Sequence, residues 1–163
     1  MNELLELRTL LLAQQLKIAT AESCTGGLLS QHLTSIAGAS AWFDCGIISY
    51  SNEAKQNILQ VKKNTIDCYG AVSKQCALEM VQGLLNLSPA DWGIAITGIA
   101  GPTGNTPDKP IGLVHFALGN QKKEWFSYEK IFTGNRQEIQ EQACLFSLNQ
   151  LIVLLNNSEE KKC

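Results

Sequence analysis

The sequence predicts an α/β protein, a three-layer α/β/α sandwich around a mixed, mostly parallel sheet. Three observations carry this expectation. Short apolar or β-branched runs at residues 17–21, 44–51 and 92–97 each end in a loop of small polar residues. Segments with apolar residues at helical spacing lie between those runs. Late in the chain, alternating runs at 112–118 and 125–132 flank Gly119-Asn120 and predict an antiparallel hairpin. Crossovers through helices make parallel neighbours and a hairpin makes antiparallel ones, so the sheet is mixed and has helices on both faces.

Each element has its own local warrant. Residues 3–16 place Leu4, Leu7 and Leu11, with Leu5, Leu12 and Leu16 beside them, on a broad apolar helix face. The strand at 17–21 runs directly into Glu22-Ser23-Cys24-Thr25-Gly26-Gly27, after which Leu28, Leu29, Leu33 and Ile36 resume a helical period that ends at Gly38. Beyond the second strand, Asn52 is expected to cap a helix carrying Glu53, Lys55, Ile58 and Leu59, and residues 64–70 read as a loop. Ser73 is the expected cap of a helix over 74–86 with Ala77, Met80, Val81, Leu84 and Leu85 inward, closed by Ser88-Pro89-Ala90-Asp91. Asn135 followed by Glu138 predicts a capping box opening a last helix to about Leu155. Residues 1–155 therefore read as one domain, and 156–163 as a charged, disordered tail.

Composition narrows the function classes. A chain of 163 residues with 45% hydrophobic and 17% charged content fits one globular domain. A net charge of −2 speaks against a nucleic-acid surface, which needs clustered Lys and Arg. The N-terminus interleaves acids with leucines, unlike a signal peptide, and no run approaches the roughly 18 apolar residues of a membrane span, so a cytoplasmic protein is expected. The six cysteines form no C-x-x-C pair, and His32 and His115 lie far from them in sequence. Reduced thiols are the expectation, rather than disulfides or a metal site.

Sites in doubly wound sheets form beyond the carboxyl ends of strands, where loops meet helix N-termini. Three loops qualify: 22–27, 49–55 and 97–104. The first offers backbone N–H groups to an anion or a developing oxyanion, or else is only a capped turn that needs its glycines. It is neither a Walker A loop nor a G-x-S-x-G elbow. The third, from Thr97 and Gly98 through Gly101 to Gly104, spaces its glycines three apart and so lacks the dinucleotide pattern. Lys55 taken alone reads as a solvent-facing helix lysine. As a general base it would need burial or a nearby cation to lower its pKa, and Ser23, Ser40, Tyr50 and Ser51 lie on loops assigned to the same sheet edge. Arg136 opens the last helix, where a cation is mildly unfavourable, and its guanidinium suits a carboxylate or phosphate.

With these segments in hand, the chain resembles the CinA C-terminal domain family. The matching stretches are Ala21-Glu-Ser-Cys-Thr-Gly-Gly27, Gly38-Ala-Ser-Ala-Trp-Phe43, Ser49-Tyr-Ser-Asn-Glu-Ala-Lys55, Gly70-Ala-Val-Ser73, Thr97-Gly-Ile-Ala-Gly-Pro102, Lys109-Pro-Ile-Gly112 and Phe132-Thr-Gly-Asn-Arg136. The resemblance implies a sandwich with one antiparallel strand, and members that associate as homodimers or larger oligomers. It implies an amidohydrolase that needs no metal or cofactor and converts nicotinamide mononucleotide to nicotinic acid mononucleotide and ammonia by a Ser/Lys dyad. Carried over by motif, Ser40 is the nucleophile and Lys55 its base, Tyr50 assists, and Ser23 is the competing nucleophile. Thr25, Gly26, Thr97, Gly98, Gly101 and Arg136 would hold the substrate. A non-catalytic nucleotide-binding module of the same fold is the alternative. Asn135, where an acidic residue is expected, and Asn105-Thr106 depart from the family pattern.

Overall fold

Five segments pair into one sheet: β1 (Ile18–Glu22), β2 (Phe43–Ile48), β3 (Trp92–Gly98), β4 (Leu113–Asn120) and β5 (Trp125–Ile131). The spatial order is β2-β1-β3-β4-β5. β1 pairs in parallel with β2 and with β3, while β4 is antiparallel to both of its neighbours. β4 alone therefore runs against the other four strands, as the late hairpin requires. The helices are α1 (Asn2–Gln14), α2 (Leu28–Thr34), α3 (Asn52–Leu59), α4 (Lys63–Tyr69), α5 (Lys74–Leu87) and α6 (Arg136–Glu160). The coordinates are a computed structural model that describes residues 2–160, with side chains through 157.

The two faces of the sheet are built differently. Ile18, Ile94, Ile96, Val114, Phe116 and Leu118 face a layer formed by α1, α2 and α6, where Leu4, Leu7, Leu11, Leu29, Leu33, Leu148 and Leu151 complete a thick aliphatic core. Ala19, Ala21, Ala95 and Ala117 face the other layer, where Ala77, Met80, Val81 and Leu84 of α5 pack. Small residues let α5 lie close to the strands: a Cβ at Gly93 would come within 2.9 Å of Val81 Cγ2. α3 and α4 pack on α5 rather than on the sheet. β1 is buried at every position because both of its faces are covered.

Most expected elements form, and the exceptions have local causes. Ser51, not Asn52, caps α3, its Oγ accepting the Ala54 N–H at 3.0 Å. Residues 63–69 form α4 rather than loop. The Glu79 carboxylate supplies what that short sequence lacks, accepting from Lys62 N and Thr65 Oγ1, both at 2.8 Å. The β4–β5 turn lies beyond Gly119-Asn120, with Lys123 N donating to Asn120 O and Asn120 N to Glu124 O. Gly119 instead sits inside β4 opposite Trp125, where a Cβ would collide with the indole at 2.2 Å. Ser73 caps α5 as expected, accepting the Cys76 N–H at 3.1 Å. The capping box of α6 is reciprocal: Asn135 N donates to Glu138 Oε2 at 2.7 Å and Glu138 N to Asn135 Oδ1 at 3.1 Å. α6 continues through Glu160, into the segment expected to be a disordered tail, and residues 161–163 of that tail lie outside the described residues.

Candidate active site

Strand alternation decides which side of the loop after β1 each side chain takes. Ile18 faces the α6 layer and Ala19 the α5 layer, so Glu22 returns to the α6 layer and Ser23 to the α5 layer. Glu22, fully buried, turns its carboxylate onto the start of α2 and accepts from Gly27 N and Leu29 N at 3.1 Å, Ser30 N at 2.8 Å and Ser30 Oγ at 2.6 Å. The α2 N-terminus thus already holds an internal anion. Gly26 N closes the turn onto Ser23 O, and Leu28 N onto Thr25 O, both at 3.0 Å. These bonds consume the amides of Gly26 through Ser30 apart from internal helix bonding, and leave those of Cys24 and Thr25 outside the turn.

Ser23 meets Lys55. Lys55 is 1% exposed, and its Nζ lies 2.9 Å from Ser23 Oγ, 2.7 Å from Ser49 O and 3.3 Å from Tyr50 O. The helix explains the reach: side chains tilt towards the helix N-terminus, so a lysine one turn into α3 points back at the end of β2. No carboxylate pairs with it among the described residues. Burial therefore lowers its pKa from 10.5, and the nearby Cys76 and Cys24 oppose that shift only if ionised. Burial pushes Cys24 up to about 12 and Cys76 up to about 11, so both are uncharged near neutrality. Desolvation of the ammonium consequently acts with little opposition.

The expected pairing of Ser40 with Lys55 is corrected by strand direction. Ser40 occupies a short 3-10 turn, Ala39–Ala41, ahead of β2, and is exposed. Ile18 aligns with Phe43 and Glu22 with Ile48, so Ser40 stands at the amino edge of the sheet and Ser49 at the carboxyl edge. The six residues of β2 separate them, roughly 20 Å of strand.

The remaining expected residues divide into those at the site and those that support it. Arg136 donates from Nη1 to Gly101 O at 2.8 Å and from Nη2 to Tyr50 Oη at 3.0 Å, tying the loop after β3 to the loop after β2. Tyr50 is 61% exposed with its hydroxyl held this way, and its carbonyl touches Lys55. Thr25 Oγ1 is buried with no hydrogen-bond partner, as is Ser49 Oγ. Thr97 spends its hydroxyl on Ala71 O at 2.8 Å, anchoring the α4–α5 connection. Gly98 is structural, because a Cβ would meet Leu113 O at 2.7 Å, and Gly26 takes a positive φ of 60° to turn the serine loop. Among the described residues no group of His, Cys, Asp and Glu is arranged to hold a metal ion.

Four contributors escaped the sequence reading: Glu22 as an internal cap, Ser49 through its carbonyl, Lys109 and Gln140. Lys109 Nζ donates to Tyr69 O at 2.6 Å and Val72 O at 2.7 Å, holding the α4–α5 connection from the other side. Gln140 Nε2 donates to Cys24 O at 2.7 Å. Its signal was present, since it follows Arg136 by four residues and shares its helix face.

Fold and site together define a three-layer α/β/α protein with a buried serine–lysine contact at the carboxyl edge of its parallel strands. The CinA C-terminal domain matches residues 3–155, and the chain belongs to that family. A competence damage-inducible protein A from Klebsiella pneumoniae superposes with a TM-score of 0.92 at 35% identity, covering 95% of this chain and 96% of that one. A competence/damage-inducible protein from Agrobacterium tumefaciens gives 0.88 at 40% identity over 94% and 96%. A putative competence-damage inducible protein of Thermoanaerobacter pseudethanolicus is 46% identical over 86% of this chain, but the match spans only 34% of that relative. The chain is thus similar to about a third of such longer relatives. The nicotinamide-nucleotide amidohydrolase PncC of Escherichia coli is 42% identical over 82% of this chain and 81% of its own length, and that of Enterobacter agglomerans 44% over 80% of each. No described helix is long and apolar enough to cross a membrane.

Proposed function

We propose that the chain is an amidohydrolase acting on nicotinamide mononucleotide, with Ser23 as nucleophile and Lys55 as its base. The observation that carries the reading is the 2.9 Å contact between Ser23 Oγ and a lysine that is 1% exposed and without a carboxylate partner. Names of relatives that match over four-fifths of both chains support the substrate.

The geometry suits a neutral amine. An uncharged Nζ has two N–H bonds and one lone pair; Ser49 O and Tyr50 O take the N–H bonds, and the lone pair faces the Ser23 hydroxyl. Lys55 then accepts the Ser23 proton as Oγ attacks the carboxamide carbon. The oxygen of the tetrahedral intermediate becomes negative, and the amides of Cys24 and Thr25 are the donors left beside it. Lys55 returns the proton to the amide nitrogen, the C–N bond breaks, ammonia leaves and an acyl-enzyme remains. Water attacks that ester, Lys55 carries its proton to Ser23 Oγ, and the carboxylic acid is released. Arg136, whose guanidinium touches only neutral acceptors in the bonds above, has its charge available to the substrate phosphate.

Ammonia release from nicotinamide mononucleotide tests the proposal. Turnover by the wild type that survives chelators and is lost in Ser23→Ala supports it. Saturable nucleotide binding without turnover would instead favour a non-catalytic module.

A further inference from the structure

We infer that Gln140 is a positioning residue that aims the oxyanion-binding amide of Thr25. The inference rests on the amidohydrolase reading and extends it to α6, a helix that supplies no reacting atom. Peptide groups are planar and trans, so the C=O and N–H of one peptide point in opposite directions. The amides of Cys24 and Thr25, which the turn leaves unused, belong to the two peptides whose carbonyls are those of Ser23 and Cys24. The first carbonyl is fixed within the loop by Gly26 N at 3.0 Å. Among the described residues the second is held from outside, by Gln140 Nε2 at 2.7 Å.

That one bond sets the tilt of the Cys24–Thr25 peptide. Pulling the Cys24 carbonyl towards α6 turns the Thr25 N–H away from α6, to the side on which Ser23 meets Lys55. Released from Gln140, the peptide loses that hold on its carbonyl, and its tilt is left to the ψ of Cys24 and the φ of Thr25, between neighbours fixed by Gly26 N on Ser23 O and Leu28 N on Thr25 O. Arg136, one turn earlier on the same helix face, fixes the loops after β2 and β3. The first two turns of α6 therefore hold all three loops of the site, and Gln140 is the only one of the two that touches the serine loop.

An oxyanion donor matters in the transition state and little in the ground state, which gives Gln140 a distinctive kinetic mark. Gln140→Met keeps the shape and removes the donor; Gln140→Glu turns a carboxylate onto the carbonyl. With nicotinamide mononucleotide, both variants are expected to lose on the order of 10–100-fold in kcat, with KM within about twofold and an unchanged melting temperature. A second readout does not depend on that substrate. A fluorophosphonate labels an active serine by forming an Oγ–P bond with loss of fluoride, and its phosphoryl oxygen uses the same donors. The Ser23 labelling rate should fall by a similar factor in both variants. Unchanged kcat and labelling overturn the inference, as does a loss in which KM and melting temperature move together with kcat. If the wild type fails to hydrolyse the nucleotide yet labels at Ser23, and labelling falls in the variants, the positioning role stands and the substrate assignment fails.

Discussion

The carboxyl and amino edges of the parallel strands carry similar residues in different circumstances. At the carboxyl edge Ser23 is 8% exposed, beside a buried lysine and two buried hydroxyls without partners. At the amino edge Ser40 stands exposed in a 3-10 turn after a glycine with a φ of 83°. Both serines lie in short irregular stretches, Ser23 between β1 and α2 and Ser40 between α2 and β2. They differ in what surrounds them, because parallel strands bring all their following loops to one edge and all their preceding loops to the other. In this chain the buried lysine and the partnerless hydroxyls of Thr25 and Ser49 lie among the following loops.

The sharpest way to break this comparison is to remove each serine in turn. Ser23→Ala is expected to lower kcat for nicotinamide mononucleotide by on the order of 10⁴–10⁶-fold, the scale of losing a nucleophile. Ser40→Ala should stay within about twofold. Comparable losses at both positions, in ammonia-release assays on folded variants, would sink the assignment of chemistry to one edge.

Lys55 gives the next largest effect and one with a pH signature. Lys55→Met should cost at least about 10³-fold in kcat. In the wild type, kcat/KM should rise with pH along a limb whose midpoint lies below the ordinary lysine value of 10.5, because burial favours the neutral amine. The sign for stability follows from the same shift. Between the lowered folded pKa and 10.5 the unfolded chain binds more protons than the native one, so stability rises with pH in that window. Denaturant unfolding of wild type and Lys55→Met near neutrality and near pH 9.5 checks it: the wild type should gain relative to the variant as pH rises.

Smaller effects separate anchoring from proton transfer. Lysine cannot reproduce the forked contact of Arg136 with Gly101 O and Tyr50 Oη. Arg136→Lys is expected to raise KM by about tenfold or more, seen most clearly against a substrate analogue without phosphate, on which the variant should be nearly silent. Tyr50→Phe keeps the carbonyl that touches Lys55 and loses only the acceptor for Arg136, so about threefold to tenfold is expected. A loss in kcat beyond about 10²-fold would mean that the phenol itself moves the proton.

How much of this was legible beforehand differs by physical scale. The strands, the sense of the hairpin and the caps at Ser73 and Asn135 follow from patterns local to a few residues. The sheet edge that hosts the site also follows, since helix crossovers fix strand direction. Lys55 is another matter: most of its sequence neighbours are polar, and its burial, which lowers its pKa, comes from packing that local spacing does not reveal. Ser40 is assigned by carrying over a motif, which says nothing of direction, whereas β2 carries the chain from one edge of the sheet to the other between Ser40 and Lys55. Glu79 capping α4 and Gln140 reaching Cys24 join segments 17 and 116 residues apart, and no local spacing reveals such contacts. Gly119 misled for the complementary reason, a turn-forming residue retained to make room for Trp125.

The mildest test asks whether the start of α6 matters for function as well as for folding. Asn135 and Glu138 cap the helix on which Arg136 and Gln140 ride, and they bond to each other, while the bonds to Gly101, Tyr50 and Cys24 come from Arg136 and Gln140. Asn135→Ala removes the side-chain half of the box and should cost about 1 kcal/mol of stability, the usual worth of an N-cap. If α6 holds the site as a rigid bar, with Ile139, Ala143, Leu148 and Leu151 fixing it in the core, kcat should change by less than about twofold. A kcat loss close to that of Gln140→Met would instead mean that the first turn frays under the site, so that the cap, and not the buried face of the helix, sets the aim of the loop.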